Sequence, residues 1–523
     1  MKTKYISISL AVFSLLVSGC GQGETTSSAA TTSATNTSSS SSSSTSSYVP
    51  GPDQSYVQFF VDSDVYFWCQ ILKGEKANVP QDPVKVGYSF QRWLNEDGTP
   101  WDSEKPITTN TYNIYAEFDY DFLELPAVII KTENGQEIVS KDEYVTSAIT
   151  ITNTKTEWEL DEVAAGVKGR GNTTWGLEKK PYRIKFDSKQ KLFGSSYKAK
   201  SWTLLANYSD KSLLRNFTAF ELGERFDGID FSSKHQLVDL YINNDYKGVY
   251  LVCDQIQTGS GRVNINESVA ADGNNGYLIE RDARASSEGI LDQDYFIFND
   301  EEYVFKTPDS ESQAFIDNKD VEIQYIRNYL TSCQTAITEG EWSNVESLID
   351  IDSFVDSYIV EELFANNDCG YSSCYYYKDK NGKLFKGPLW DFDIAAGNVN
   401  YNMGDEDQCL PNETVFASKY NFFYKILMER NEFVALVKNK LIAYETTINE
   451  VLGLLDVNSE DSIYSLAKNA LERNFDRWEI MGKNVWPEPN SVIAIKSLSG
   501  QIKYLRSWLQ ARYAYLNDVF AAL

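Results

Sequence analysis

The stretch from Asn366 to Asp393, NNDCGYSSCYYYKDKNGKLFKGPLWDFD, constrains the chain more than any other. Just before it, in IDSFVDSYIVEELF, the residues Phe354, Tyr358, Ile359 and Leu363 recur at the spacing of a helix with one buried side. A polar break containing Asp368 follows, then an aromatic run from Cys374 to Tyr377. Asn381-Gly382 is a strong hairpin signal, because both residue types accept positive φ. The return strand, Lys383 to Leu389, delivers Trp390-Asp391-Phe392-Asp393. Folding back in this way sets Asp368 beside Asp391, although 23 residues separate them. Carboxylates so placed repel one another unless a positive charge lies between them, and their oxygens suit magnesium, manganese or calcium. Aspartate is also common in turns, so capped turns in an acidic protein are the competing account of WDFD taken alone.

The rest of the chain limits the chemistry. Its 523 residues suffice for two or three domains. A net charge of −27 argues against nucleic acid as a partner, since phosphate neutralisation needs a basic surface. The single histidine, His235, lies at the mouth of an expected strand with no nucleophile motif near it. Two-histidine zinc sites are therefore excluded, and carboxylates, lysines and arginines must carry any chemistry. Apart from Cys20 there are six scattered cysteines and no CxxC. Cys369 and Cys374 could pair across the Asp368 loop, or all six could be buried free thiols.

Residues 1–20 combine a basic start at Lys2 and Lys4, a short apolar run and Val17-Ser18-Gly19-Cys20. This resembles the lipobox of bacterial lipoproteins, which implies lipidation of Cys20 and an extracytoplasmic protein anchored to the cell membrane. Residues 21–47, almost wholly Ser, Thr, Ala and Gly, read as a flexible tether. Residues 48–120 open on the alternating strand SYVQFFVD. Through Gly87, Tyr88, Phe90, Trp93 and Trp101 they resemble the B-type repeat of internalin-like surface proteins. That resemblance implies a small β-grasp-like module with cell-surface partners, Trp93 and Trp101 being core residues.

From residue 121 to 523 the pattern is α+β. VIIKT and SAITITNT read as strands, and glycines 166, 169 and 171 as a mobile turn. From Pro181 to Phe186 the residues alternate, with Tyr182, Ile184 and Phe186 on one face and Arg183 and Lys185 on the other. Two cations on one strand face suit an anionic ligand or an ion-paired surface. A helix capped by Ser209 or Asp210 is expected next, burying Leu213, Leu214, Phe217, Phe220 and Phe226 and carrying Arg215, Glu221 and Glu224 on its polar positions. QLVDLYINNDYKGVYLVCDQI reads as a hairpin, GYLIERD as a buried strand, and residues 419–523 as mostly helical.

In this order RGNTTW, KKPYRIKF, LLANYSDKSLLRN, LYINNDYKGVYLVCDQI, GYLIERD, the Asp368 loop and PLWDFD resemble the CotH family of spore-coat protein kinases. Loop aspartate, hairpin, Asp-Phe-x is also the order of a protein-kinase catalytic loop and its DFG segment. The resemblance implies a divergent protein-kinase-like domain with a helical C-terminal part. It would transfer phosphate from ATP to serine or threonine of proteins with Mg²⁺ or Mn²⁺. Carried over by residue, it makes Asp368 the catalytic aspartate and Asp391 the metal-binding aspartate, with Asp393 a further metal or water ligand. Lys185 becomes the phosphate-positioning lysine, Arg183 and Arg215 phosphate or structural cations, and Glu221 the helical partner of Lys185. Two positions depart from the family pattern: Ser373 stands where an asparagine metal ligand is usual, and Asp254-Gln255-Ile256 where EQI is usual.

Two other classes compete with a kinase. ATP is scarce outside the cytoplasm, which favours a non-catalytic adhesion lipoprotein whose acidic hairpin binds calcium or a partner. Two carboxylates at suitable separation could also serve a glycosidase.

Overall fold

The computed structural model describes residues 51–85, 87–120, 124–287, 294–401, 409–412 and 416–523. The expected leader with Cys20 and the tether at 21–47 lie outside them. Among the described residues no helix is long and apolar enough to cross a membrane. The chain divides into two compact units, one running to Pro80 and including Asp102–Ile114, the other comprising Gln81–Trp101 and Tyr115–Leu523. Strands β1 (Gln54–Val61), β2 (Asp64–Leu72), β3 (Tyr88–Asn95) and β4 (Thr111–Tyr120) form a sheet in the order β2-β1-β4-β3. Period-two alternation buries Val57 and Phe59. Trp93 is buried, whereas Trp101 is only half-buried.

The larger unit mixes α and β structure. A closed barrel runs in the order β10-β11-β9-β8-β7-β6-β5. Its strands are β5 (Ala127–Thr132), β6 (Val145–Thr152), β7 (Leu160–Gly169), β8 (Tyr182–Gln190), β9 (Ala199–Leu205), β10 (His235–Ile242) and β11 (Asp245–Asp254). As the alternation predicts, Tyr182, Ile184 and Phe186 join its buried core. Arg183 is half-buried and Lys185 exposed on the opposite face. Gly166 and Gly169 belong to β7 rather than to a turn: a Cβ there would meet Tyr144 at 2.9 Å and Trp175 at 2.4 Å. Ile242 pairs with Asp245, so the expected hairpin turns on Asn243 and Asn244, both left-handed.

Helix α1 (Arg215–Arg225) begins later than expected. Asp210 does not sit next to it but folds a turn, accepting from Ser212 N at 2.9 Å and capping the helix from a distance through Arg215 N at 2.8 Å. Left-handed Leu213 keeps the helix from starting sooner. Its expected apolar stripe is buried, with Phe217 half-buried. His235 packs edge-on against Phe217 and Phe220.

A second sheet has the order β13-β14-β12-β15-β16. It contains β12 (Tyr277–Arg281), β13 (Tyr295–Phe298), β14 (Glu301–Thr307), β15 (Cys374–Lys378) and β16 (Leu384–Lys386). Helices α2 (Gln313–Glu339), α3 (Trp342–Leu348) and α4 (Ile351–Phe364) connect its parts. The C-terminal region is helical as expected: α5 (Ala417–Tyr420), α6 (Phe422–Leu427), α7 (Asn431–Ala443), α8 (Glu445–Gly453), α9 (Ile463–Leu466), α10 (Lys468–Arg477), α11 (Asn490–Ile493) and α12 (Leu498–Ala522). One expectation fails at α4, which is buried on nearly every side, because α1, α7, α12 and β16 surround it. Its acids survive there because they are paired, Asp356 with Lys440 at 2.8 Å and Glu362 with Arg512.

Candidate active site

Local chemistry delivers the first aspartate. Asp350 caps α4 by accepting from Ser353 N at 3.0 Å, and left-handed Ala365 ends the helix. Glu361, on the last turn, accepts from Asn366 Nδ2 at 2.8 Å, while Asn366 Oδ1 accepts from Asp368 N at 3.1 Å. The backbone of Asp368 is thereby tied to the helix. The hairpin then forms where expected: Lys378 pairs with Leu384, leaving residues 379–383 as a turn with Asn381 left-handed. Its paired return strand is shorter than expected, ending at Lys386.

The second aspartate arrives in a strained conformation. Asp391 has φ 66°, which aspartate tolerates only where neighbours hold it. Phe392 supplies the hold, packing edge-on against Phe364 at 5.2 Å and donating its backbone N–H to Asn216 Oδ1 at 2.8 Å. Asn398 Nδ2 donates to the Asp393 carbonyl at 2.8 Å. Ser373 Oγ donates to Asp391 Oδ2 at 3.1 Å and so links the two arms of the hairpin. Asp368, Ser373, Asp391 and Asp393 consequently line one cleft of about 350 Å³. Cys369 and Cys374 beside it are buried free thiols.

These carboxylates are under electrostatic stress. Burial pushes the Asp368 carboxyl well above the usual range, and repulsion from Asp391 and Asp393 adds to it. Asp393 is raised in the same way by burial, then by Asp391 and Asp210. Burial also raises Asp391, with Arg170, the Ser373 hydrogen bond and Arg284 opposing. None of the three forms an ion pair with a protein cation among the described residues. Such a site fits a divalent cation, which would relieve the repulsion. Among the described residues no three or more His, Cys, Asp or Glu side chains lie close enough to hold one ion together. The aspartates would then supply part of a shell completed by water and phosphate, the arrangement magnesium favours.

The expected cations are placed differently. Lys185 does not line this cleft: strand alternation turns it into a separate hollow with Tyr144, Gly166 and Lys200. Arg183 reaches Ser201 Oγ at 3.4 Å and is also absent from the cleft wall. Glu221 pairs with Arg225 at 2.6 Å and with His235 at 3.3 Å, so it is committed away from Lys185. Arg215 is fully buried and structural, bound to Asp210 and donating to the Ala395 and Ala396 carbonyls at 2.9 and 3.2 Å. It therefore fixes the turn after Asp393 rather than facing a ligand. Arg215→Ala is expected to lower unfolding stability by about 3–5 kcal/mol, because Asp210 would be left charged in the interior, and chemical denaturation would measure the loss.

The cleft's own cations are Arg170, Arg284, Lys179 and Lys306. Arg170 lies beside left-handed Gly171, with its guanidinium 5.4 Å from the Trp390 ring. Lys306, on β14, pairs with Glu280 of adjacent β12 at 2.7 Å. Lys179 is committed to the Val249 carbonyl and to Asn474. Arg170, Glu280 and Asp282 fall inside RGNTTW and GYLIERD, where charge at a strand end was the available signal. Lys306 carried no signal, since only strand pairing brings it to Glu280. Asp254, at the EQI departure, is buried and paired with Arg262 at 2.6 Å, and its neighbour Gln255 reaches the cleft. A family model described as CotH kinase protein matches residues 167–516, about two thirds of the chain and all of the cleft. Comparison with curated proteins gives no match.

Proposed function

Because this chain belongs to the CotH kinase family, we propose that its cleft transfers the γ-phosphate of ATP to serine or threonine hydroxyls of proteins, with Mg²⁺ or Mn²⁺. The observation that carries the reading is the convergence of Asp368, Asp391 and Asp393 on one cleft, Asp393 buried and the other two half-buried, with none of them in an ion pair among the described residues. Asp391 and Asp393 would hold the metal, with the Ser373 hydroxyl beside Asp391. When bound there, a divalent cation would supply neutralisation of the negative charge on the nucleotide's phosphates.

Asp368 orients the acceptor hydroxyl and takes its proton as the new O–P bond forms and the bond from the γ-phosphorus to the bridging oxygen breaks, releasing ADP. Arg170 and the Lys306–Glu280 pair take the phosphate-positioning role that Lys185 and Glu221 cannot fill. A divergent kinase-like fold, a lipid anchor at Cys20, an extracytoplasmic location and a B-repeat-like module at 48–120 with surface partners complete the proposed picture.

The test is transfer of labelled γ-phosphate to a generic acidic acceptor protein by the purified chain. Label is expected in serine or threonine with Mg²⁺ or Mn²⁺ and none with chelator. Nucleotide binding without any transfer would overturn the enzymatic reading.

A further inference from the structure

We propose that Arg284 is a catalytic residue that contacts the transferred γ-phosphoryl group, an inference that rests on the kinase reading above. Asp282, with a side chain only 2 % exposed, accepts from Arg284 Nε and Nη2, both at 2.8 Å. It also accepts from the Arg284 backbone N–H at 3.0 Å. One buried carboxylate thus fixes both the main chain and the guanidinium plane. Arg284 Nη1 makes no hydrogen bond among the described residues. The side chain is 23 % exposed and lines the carboxylate cleft.

The Asp368 loop sets the position of this arginine. Tyr371 N donates to the Asp368 carbonyl at 3.0 Å, and the Tyr371 carbonyl accepts from Ala283 N at 2.8 Å and Arg281 Nη1 at 2.9 Å. The Tyr371 ring lies 5.9 Å from the Arg284 guanidinium. Asp368 and Arg284 are therefore locked in register by one residue. Charge spreads over the equatorial oxygens during phosphoryl transfer, and a planar fork already held on one edge presents its other edge to them with little reorganisation. A surface ion pair would not need a buried acceptor or a tie to the catalytic loop.

The test compares Mg·ATP and Mg·ADP dissociation constants, and kcat, for wild type, Arg284→Gln and Arg284→Lys. Arg284→Gln is expected to weaken ATP by about 10- to 100-fold with ADP within about threefold, and to lower kcat by about 10²–10³-fold. Arg284→Lys should recover part of the kcat. Retained ADP affinity shows that the variants fold. Equal weakening of both nucleotides, or no change in either, would overturn the role of Arg284 and leave the kinase reading standing. Wild type that binds neither nucleotide would remove both.

Discussion

Asp368→Ala is expected to lower kcat by about 10²–10⁴-fold while leaving Mg·ATP affinity nearly unchanged, because a general base acts on the acceptor proton and not on the nucleotide. The backbone of Asp368 is held by Asn366, whose side chain is held by Glu361, so truncating the Asp368 carboxylate should not release the loop. The pH dependence should have a definite sign. Only the deprotonated carboxylate can accept a proton, and burial together with Asp391 and Asp393 raises its pKa. With subsaturating metal, kcat/KM should therefore rise with pH above the ordinary carboxylate range, and saturating Mg²⁺ should move that limb downward. Steady-state rates for wild type and variant across pH check both statements. A variant within tenfold of wild type would show that Asp368 is not the base.

Asp391→Asn should abolish the stabilisation of the protein by Mg·ATP and, without metal, make the chain more stable than wild type. The linkage runs from the raised pKa values. A carboxyl whose folded pKa lies above its unfolded value contributes stability below the unfolded pKa, and that contribution is lost as pH rises through the folded pKa. As pH rises through those raised folded values, the metal-free wild type must hold mutually repelling carboxylates side by side in the cleft. Removing one of them should recover roughly 1–3 kcal/mol. Asparagine is the right probe because it also accepts the φ of 66° at this position and can still accept from Ser373. Thermal unfolding with and without metal nucleotide, at pH 5 and pH 7.5, measures the effect. A variant less stable than metal-free wild type at pH 7.5 would mean that Asp391 is structural.

What the sequence determined by itself is what short-range chemistry encodes. Apolar spacing marked α4 over its full length, and Asn381-Gly382 placed the turn that brings Asp368 and Asp391 to one cleft. Alternation assigned the faces of β8, including the outward side of Lys185. What faces that side was beyond it. Which hollow Lys185 enters, which side chain from another element Glu221 meets and how many sides of α4 are covered depend on elements far away along the chain. The start of α1 was likewise decided by Asp210 bridging a turn and by Arg215 reaching the Ala395 and Ala396 carbonyls, 180 residues on. Glu280 meets Lys306 only because β12 and β14 are paired, and Arg284 meets the Asp368 loop only through Tyr371. Periodicity and turn residues act over a few bonds, so they place the acids of one hairpin; the cations that answer them come from separate strands, and only closure of the barrel and the second sheet brings them together.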